Sequence, residues 1–141
     1  MFLGEFQHSI DDKGRLKLPA KFKDAFADGA VIAERFDGAL ALYTMVDWPN
    51  VASKYREMND FDPDERALRR DAFAGAETVS PDKGGRIVIP GKMRAIAGPG
   101  DEVCVTGNWD HLEIWPKDIW EDYRTQARET REIKAKKLAN K

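Results

Sequence analysis

The 141-residue chain has a single cysteine and only two histidines, and that scarcity removes most reaction chemistries at once. Cys104, set between Val103 and Val105, can form no internal disulfide and has no CxxC partner for a metal, so it reads as a small core residue. His8 and His111 stand apart, neither at metal-ligand spacing, and no GxSxG elbow or phosphate-cradling loop is present. Carboxylates are plentiful but scattered over charged stretches. An enzyme therefore has no support, and no catalytic residue, metal or cofactor is expected. Apolar runs approaching the roughly eighteen residues of a membrane span are missing too, and Met1 to Ile10 carries Glu5 and no apolar signal core. The expected address is the cytoplasm. Finally, the net charge of −2 lacks the basic balance usual in strong nucleic-acid binders.

That average hides a segregation. Asp11 to Phe26 holds five basic and three acidic residues, Asp82 to Ala97 four and one, and Arg124 to Lys141 seven and two. The remainder of the chain is strongly acidic. Two of these basic stretches are versions of each other. DDKGRLKLPAKFKDAF and DKGGRIVIPGKMRAIA align at an offset of 71 residues, which places Asp11 over Asp82, Gly14 over Gly85, Arg15 over Arg86, Pro19 over Pro90 and Lys21 over Lys92. With one residue added, Leu40, Leu42, Tyr43 and Trp48 fall over Leu112, Ile114, Trp115 and Trp120. The chain is one unit of about seventy residues, duplicated, and a unit that small is marginal alone, so the halves are expected to share a core.

Each unit begins with a weakly alternating strand, Gly4 to Ile10 or Ala76 to Ser80, followed by a tight turn, Asp11 to Gly14 or Asp82 to Gly85. In those turns Asp supplies a local side-chain to backbone bond and Gly a left-handed residue. A short strand follows, Leu16 to Leu18 or Arg86 to Ile89, and then a helix opened by Pro19 and closed by Gly29, or running from Pro90 to Gly98. Strands Val31 to Glu34 and Ala39 to Tyr43 are matched by Glu102 to Thr106 and His111 to Trp115. Between the units lie two helices, one from about Asp47 and one opened by Asp62-Pro63-Asp64-Glu65, an N-cap Asp with Glu three residues on. Pro116 opens a last helix with Ile119, Trp120, Tyr123 and Ala127 at helical spacing, after which Arg128 to Lys141 reads as a solvated or frayed tail. Trp109 and Trp120 are expected to face the core. The fold class is α+β: two βαββ units forming a pseudo-symmetric β-barrel with helices around it. The expected division is 1–46 and 75–118 as repeats, 47–74 as a helical bridge, and 119–141 as terminal helix and charged tail.

Core packing accounts for the shared apolar residues and not for the shared Arg. Lys13, Gly14 and Arg15, and Lys83, Gly84, Gly85 and Arg86, place cations beside flexible backbone amides, a recipe for phosphate contact with Arg also able to reach a guanine edge. Lys17, Lys21, Lys23, Lys92 and Arg94 extend the patch. The other reading makes each Arg a structural clamp on its own Asp. The two are compatible, since Asp can hold Arg in place to be presented.

GEFQHSIDDKGRLKLPAKF, the second DKGGRIVIP and LEIWPKDIWEDY together closely resemble the MraZ family of bacterial transcriptional regulators, over residues 1 to 125 and including a doubled Asp-x-x-x-Arg motif. The resemblance implies an AbrB-like (SpoVT-AbrB) swapped-hairpin fold in which one chain supplies both halves. It implies a homo-oligomeric ring binding repeated short sites in double-stranded promoter DNA of the division and cell-wall gene cluster, usually as a repressor, and hence association with the nucleoid. DNA contacts carry over to Arg15 and Arg86 and, beside them, Lys13 and Lys83, with Asp11, Gly14, Asp82 and Gly85 shaping the turns. The two turns differ in one respect, Lys13 preceding a single Gly and Lys83 preceding two. A ring scaffold docking an acidic protein partner is the alternative from another class, and an AbrB-like antitoxin a second alternative.

Overall fold

The structure, a computed structural model, describes residues 1–98 and 100–141. Its strands are β1 (Glu5–Ser9), β2 (Arg15–Lys17), β3 (Ala30–Glu34), β4 (Leu40–Thr44), β5 (Ala76–Val79), β6 (Arg86–Val88), β7 (Glu102–Gly107) and β8 (His111–Pro116). The α-helices are α1 (Trp48–Arg56), α2 (Pro63–Ala74), α3 (Arg94–Ala97), α4 (Lys117–Glu129) and α5 (Arg131–Ala139). The architecture is α+β. Hydrogen bonding divides the strands between a six-stranded antiparallel sheet, ordered β1-β7-β8-β4-β3-β5, and a two-stranded ribbon of β2 with β6.

That order is the sequence duplication made visible. Moving each strand to its counterpart in the other unit reverses the list onto itself, so an approximate two-fold axis passes between β4 and β8 and through the ribbon. The units are interleaved. β1 adds to the second unit's β7, with Gln7 opposite Cys104, while β5 adds to the first unit's β3, with Ile32 opposite Glu77. Central pairing sets Leu42 against Leu112. Both units feed one core cluster, in which Leu16, Ile32, Leu42, Ile87, Met93, Leu112 and Ile114 are fully enclosed. Each such side chain contributes roughly 1.5–3 kcal/mol by leaving water. Phe2 reaches this core from the N-terminus, its amide and carbonyl paired with Trp109 and its ring stacked on Phe26 and edge-on to Phe22.

Several local expectations change. Pro19 does not occupy a first helical turn: at ψ 132° it precedes a 3-10 helix, Ala20–Phe26, and Pro90 likewise precedes a 3-10 turn, Gly91–Met93, that passes into α3. Asp62 caps α2 through Oδ1, which accepts from the amides of Asp64 and Glu65, but Glu65 turns its carboxylate to the Asn59 amide instead of back to the cap. The region from Arg128 is not frayed. It completes α4 and then forms α5, exposed along its length. Trp109 does not face the core: it takes a left-handed φ of 66° at the β7–β8 turn and is 64% exposed. Trp120 is half-buried against Trp115. Among the described residues no helix is long and apolar enough to cross a membrane.

Candidate nucleic-acid interface

In a two-stranded ribbon, residues paired across the strands lie on one face and those between them on the other. Leu16 pairs with Ile87, and both are fully buried against the core. Arg15 pairs with Val88 and Lys17 with Arg86, so these four residues share the opposite, outward face. Arg15 and Arg86 come from turns 71 residues apart in sequence, and the ribbon sets them on a single surface.

Each turn fixes its Arg by the same bonds. Asp11 Oδ1 accepts from the Lys13 and Arg15 amides, both at 2.9 Å, and Asp11 Oδ2 accepts from Arg15 Nε at 2.8 Å. In the second turn Asp82 Oδ1 accepts from the Gly84 and Arg86 amides at 2.9 Å, and Oδ2 from Arg86 Nε at 2.9 Å. Both carboxyls are held below the usual carboxylate range, chiefly by the backbone hydrogen bond from the Arg amide and further by the guanidinium beside it. Binding an arginine through Nε leaves Nη1 and Nη2 as its outward fork, and among the described residues no acceptor takes those groups. The clamp and the presented cation are therefore one arrangement. A fork of two parallel N–H donors is the geometry that matches guanine O6 and N7 or a phosphate.

The turns are braced reciprocally. Gly14 and Gly85 sit at φ 79° and 77°, a region that side chains avoid. Their carbonyls cross the axis, Gly85 O accepting from Leu18 N at 2.9 Å and Gly14 O from Ile89 N at 2.8 Å. Over each glycine lies a cation of the other unit. A Cβ on Gly14 would come within 2.6 Å of Arg94 Nη1, one on Gly85 within 3.1–3.4 Å of the Lys23 stem, and Lys23 Nζ donates to the Lys83 carbonyl at 3.1 Å.

Lys13 and Lys83 are exposed in the turns beside the two arginines. Of the remaining cations, Lys17 is on the outward face, and Lys23 and Arg94 roof the turns. Lys21 and Lys92 are engaged elsewhere: Lys21 Nζ lies 5.1 Å from the centroid of Phe6 and 5.2 Å from that of Phe22, and Lys92 faces Glu77 at 3.8 Å and the Ala74 carbonyl at 3.4 Å. The crossed bracing was out of reach of the sequence, since nothing local to Lys23 or Arg94 marks a partner some sixty or eighty positions away. Its one trace is that the two cations are themselves equivalent positions of the repeat.

His111 is not solitary in space. Its Nδ1 is 2.6 Å from Asp110 and its Nε2 3.7 Å from Glu113, with the Tyr43 ring at 4.8 Å. Burial lowers its pKa, but the two carboxylates outweigh burial and the net shift is upward. Cys104 is enclosed, and burial pushes its thiol up to about 11. Among the described residues no group of three or more His, Cys, Asp or Glu is placed to hold a metal ion.

The model of the MraZ protein family, a family described as antitoxin-like, matches the chain twice, over residues 1–71 and 72–141. Similar proteins include the transcriptional regulator MraZ of Thermomicrobium roseum, 45% identical over 120 residues that make up 85% of this chain and 84% of the relative. Those of Acetivibrio thermocellus and Roseiflexus castenholzii are each 38% identical over 139 residues, covering 99% of this chain and 97% of the relative.

Proposed function

The chain belongs to the MraZ family, and from that premise we propose that it is a DNA-binding transcriptional regulator without enzymatic activity, reading double-stranded promoter DNA with the outward face of the β2–β6 ribbon. One observation carries the reading: two arginines from separate turns, each oriented by an Asp through Nε, stand on the same face of one ribbon. Such a ribbon is narrow enough for the major groove. Arg15 and Arg86 contact guanine edges, Lys13 and Lys83 contact phosphates, and Asp11, Gly14, Asp82 and Gly85 hold the turns.

Residues 1–46 and 75–118 act as the two repeats, joined by the helical bridge 47–74 and followed by 119–141. The family resemblance further supports a cytoplasmic, nucleoid-associated homo-oligomeric ring that represses the division and cell-wall gene cluster through repeated short sites, its own promoter included. A net charge of −2 suits that assembly: a small basic face on each subunit gains affinity when several subunits engage several repeats, and the acidic remainder discourages indiscriminate binding.

The test is a titration of the wild type and of the Arg15→Ala, Arg86→Ala double variant against the upstream promoter duplex and a scrambled duplex, each at two salt concentrations. The wild type should keep its promoter preference at raised salt. Each missing guanine contact should cost about 1–3 kcal/mol of discrimination, so the double variant should lose the preference while remaining folded. Undiminished promoter binding by the folded variant overturns the assignment. Equal binding of the wild type to both duplexes favours a scaffold with a phosphate-attracting face.

A further inference from the structure

Three of the four outward-facing ribbon residues are cations, and the fourth is Val88, 56% exposed. Packing does not require an apolar residue there. The inward alternation of that strand is complete with Ile87 and Ile89, at 0% and 2% exposure. Strand propensity does not require one either, because the equivalent position of the other unit is Lys17, which pairs in the same ribbon with the same geometry. Val88 is thus an apolar side chain set on a surface otherwise made for charge.

Its neighbour gives it a use. Val88 is directly opposite Arg15 in the register, and side chains so paired have Cβ atoms roughly 4.5–5.5 Å apart. That is a little more than the rise of about 3.4 Å between stacked base pairs, so with the ribbon strands side by side along the groove a guanine held by the Arg15 fork sets Val88 over the neighbouring base pair. In the major groove the only apolar group offered there is the C5-methyl of thymine. We propose that Val88 is a specificity-determining residue that contacts a thymine methyl in the base pair next to the guanine read by Arg15. The related corner, where Lys17 is opposite Arg86, presents a cation instead and favours an acceptor at the matching step. The inference rests on the DNA-binding reading above.

Deoxyuridine tests it by removing the thymine methyl and nothing else. Thymines of the promoter duplex are replaced singly by deoxyuridine and titrated with the wild type and with Val88→Ala, whose fold and assembly are checked by melting and by size. The wild type should lose roughly threefold to fivefold in affinity at one position of the site, the worth of one desolvated methyl. That thymine should adjoin a guanine at which 7-deazaguanine weakens the wild type and not Arg15→Ala. Val88→Ala should bind the thymine and deoxyuridine duplexes equally. A full deoxyuridine penalty in Val88→Ala, or no sensitive thymine in a wild type that still prefers the promoter, overturns the role of Val88 and leaves DNA reading standing. A wild type with no promoter preference overturns both.

Discussion

At Asp11 one oxygen orders the turn backbone and the other orients a guanidinium, so removing the charge should separate shape from presentation. Asp82→Asn keeps an acceptor for the Gly84 and Arg86 amides but replaces Oδ2 with an amino group that cannot accept from Arg86 Nε, so that bond is lost. The folded variant is expected to lose promoter affinity several-fold, less than on removal of Arg86 itself. The pH dependence has a definite sign. A carboxyl whose folded pKa lies below its unfolded value of about 3.9 contributes order that is present above that value and lost as pH falls through the folded pKa. The Nε–H chemical shifts of Arg15 and Arg86 should therefore hold their hydrogen-bonded positions on acidification past the ordinary carboxylate range and move to those of a free guanidinium only as pH falls through the lowered carboxyl pKa, with Asp82→Asn changing only the second. These pairs were legible in sequence because partners four residues apart leave a local pattern and the duplication shows it twice. The placement of Lys21 on two phenyl rings was not legible, since Phe6 lies far back in the chain and its ring signals no need for a cation.

Among the elements, the β7–β8 hairpin does more than pair strands. At Gly107 a Cβ would collide with the backbone of Phe2 and Leu3, and backbone has no alternative rotamer. Gly107→Ala is expected to unseat the N-terminal bridge and withdraw Phe2 from Phe22 and Phe26, costing about 3–5 kcal/mol if the ring leaves the core. Thermal unfolding measures this against Gly91→Ala, where a Cβ meets nothing within 4 Å and the change should stay within about 0.5 kcal/mol. Strands and the cap of α2 were readable because alternation, Pro and an N-cap Asp act over a few residues. The 3-10 character after Pro19 and Pro90 was not, since both helices are too short to show a period. α5 was hidden for another reason: Lys, Ala, Leu, Arg and Glu are strong helix formers, yet a helix that buries nothing has no apolar stripe to announce it.

For the whole molecule the interleaved sheet makes the halves interdependent. Without its counterpart, fragment 1–75 keeps β1 with no β7 and β2 with no β6, and fragment 76–141 loses β3, the partner of β5. Each should melt without a cooperative transition in circular dichroism, and the mixture should recover one at a one-to-one ratio. The duplication and the shared core were legible, since a unit of about seventy residues is marginal alone, whereas the register that interleaves the units was not, because strands paired from distant parts of the chain leave no local pattern.

A reader assembled from two identical chains must carry every substitution twice, once at each end of its symmetry axis, and comes apart on dilution. Here both halves are peptide-bonded, so the pair is a permanent heterodimer with a fixed composition at any concentration. Lys17 and Val88 already show the freedom this confers. On the reading proposed above, a single codon change revises one end of the ribbon face while the other keeps its grip, so a lineage can drift to a new target site in half-steps without passing through a protein that binds nothing.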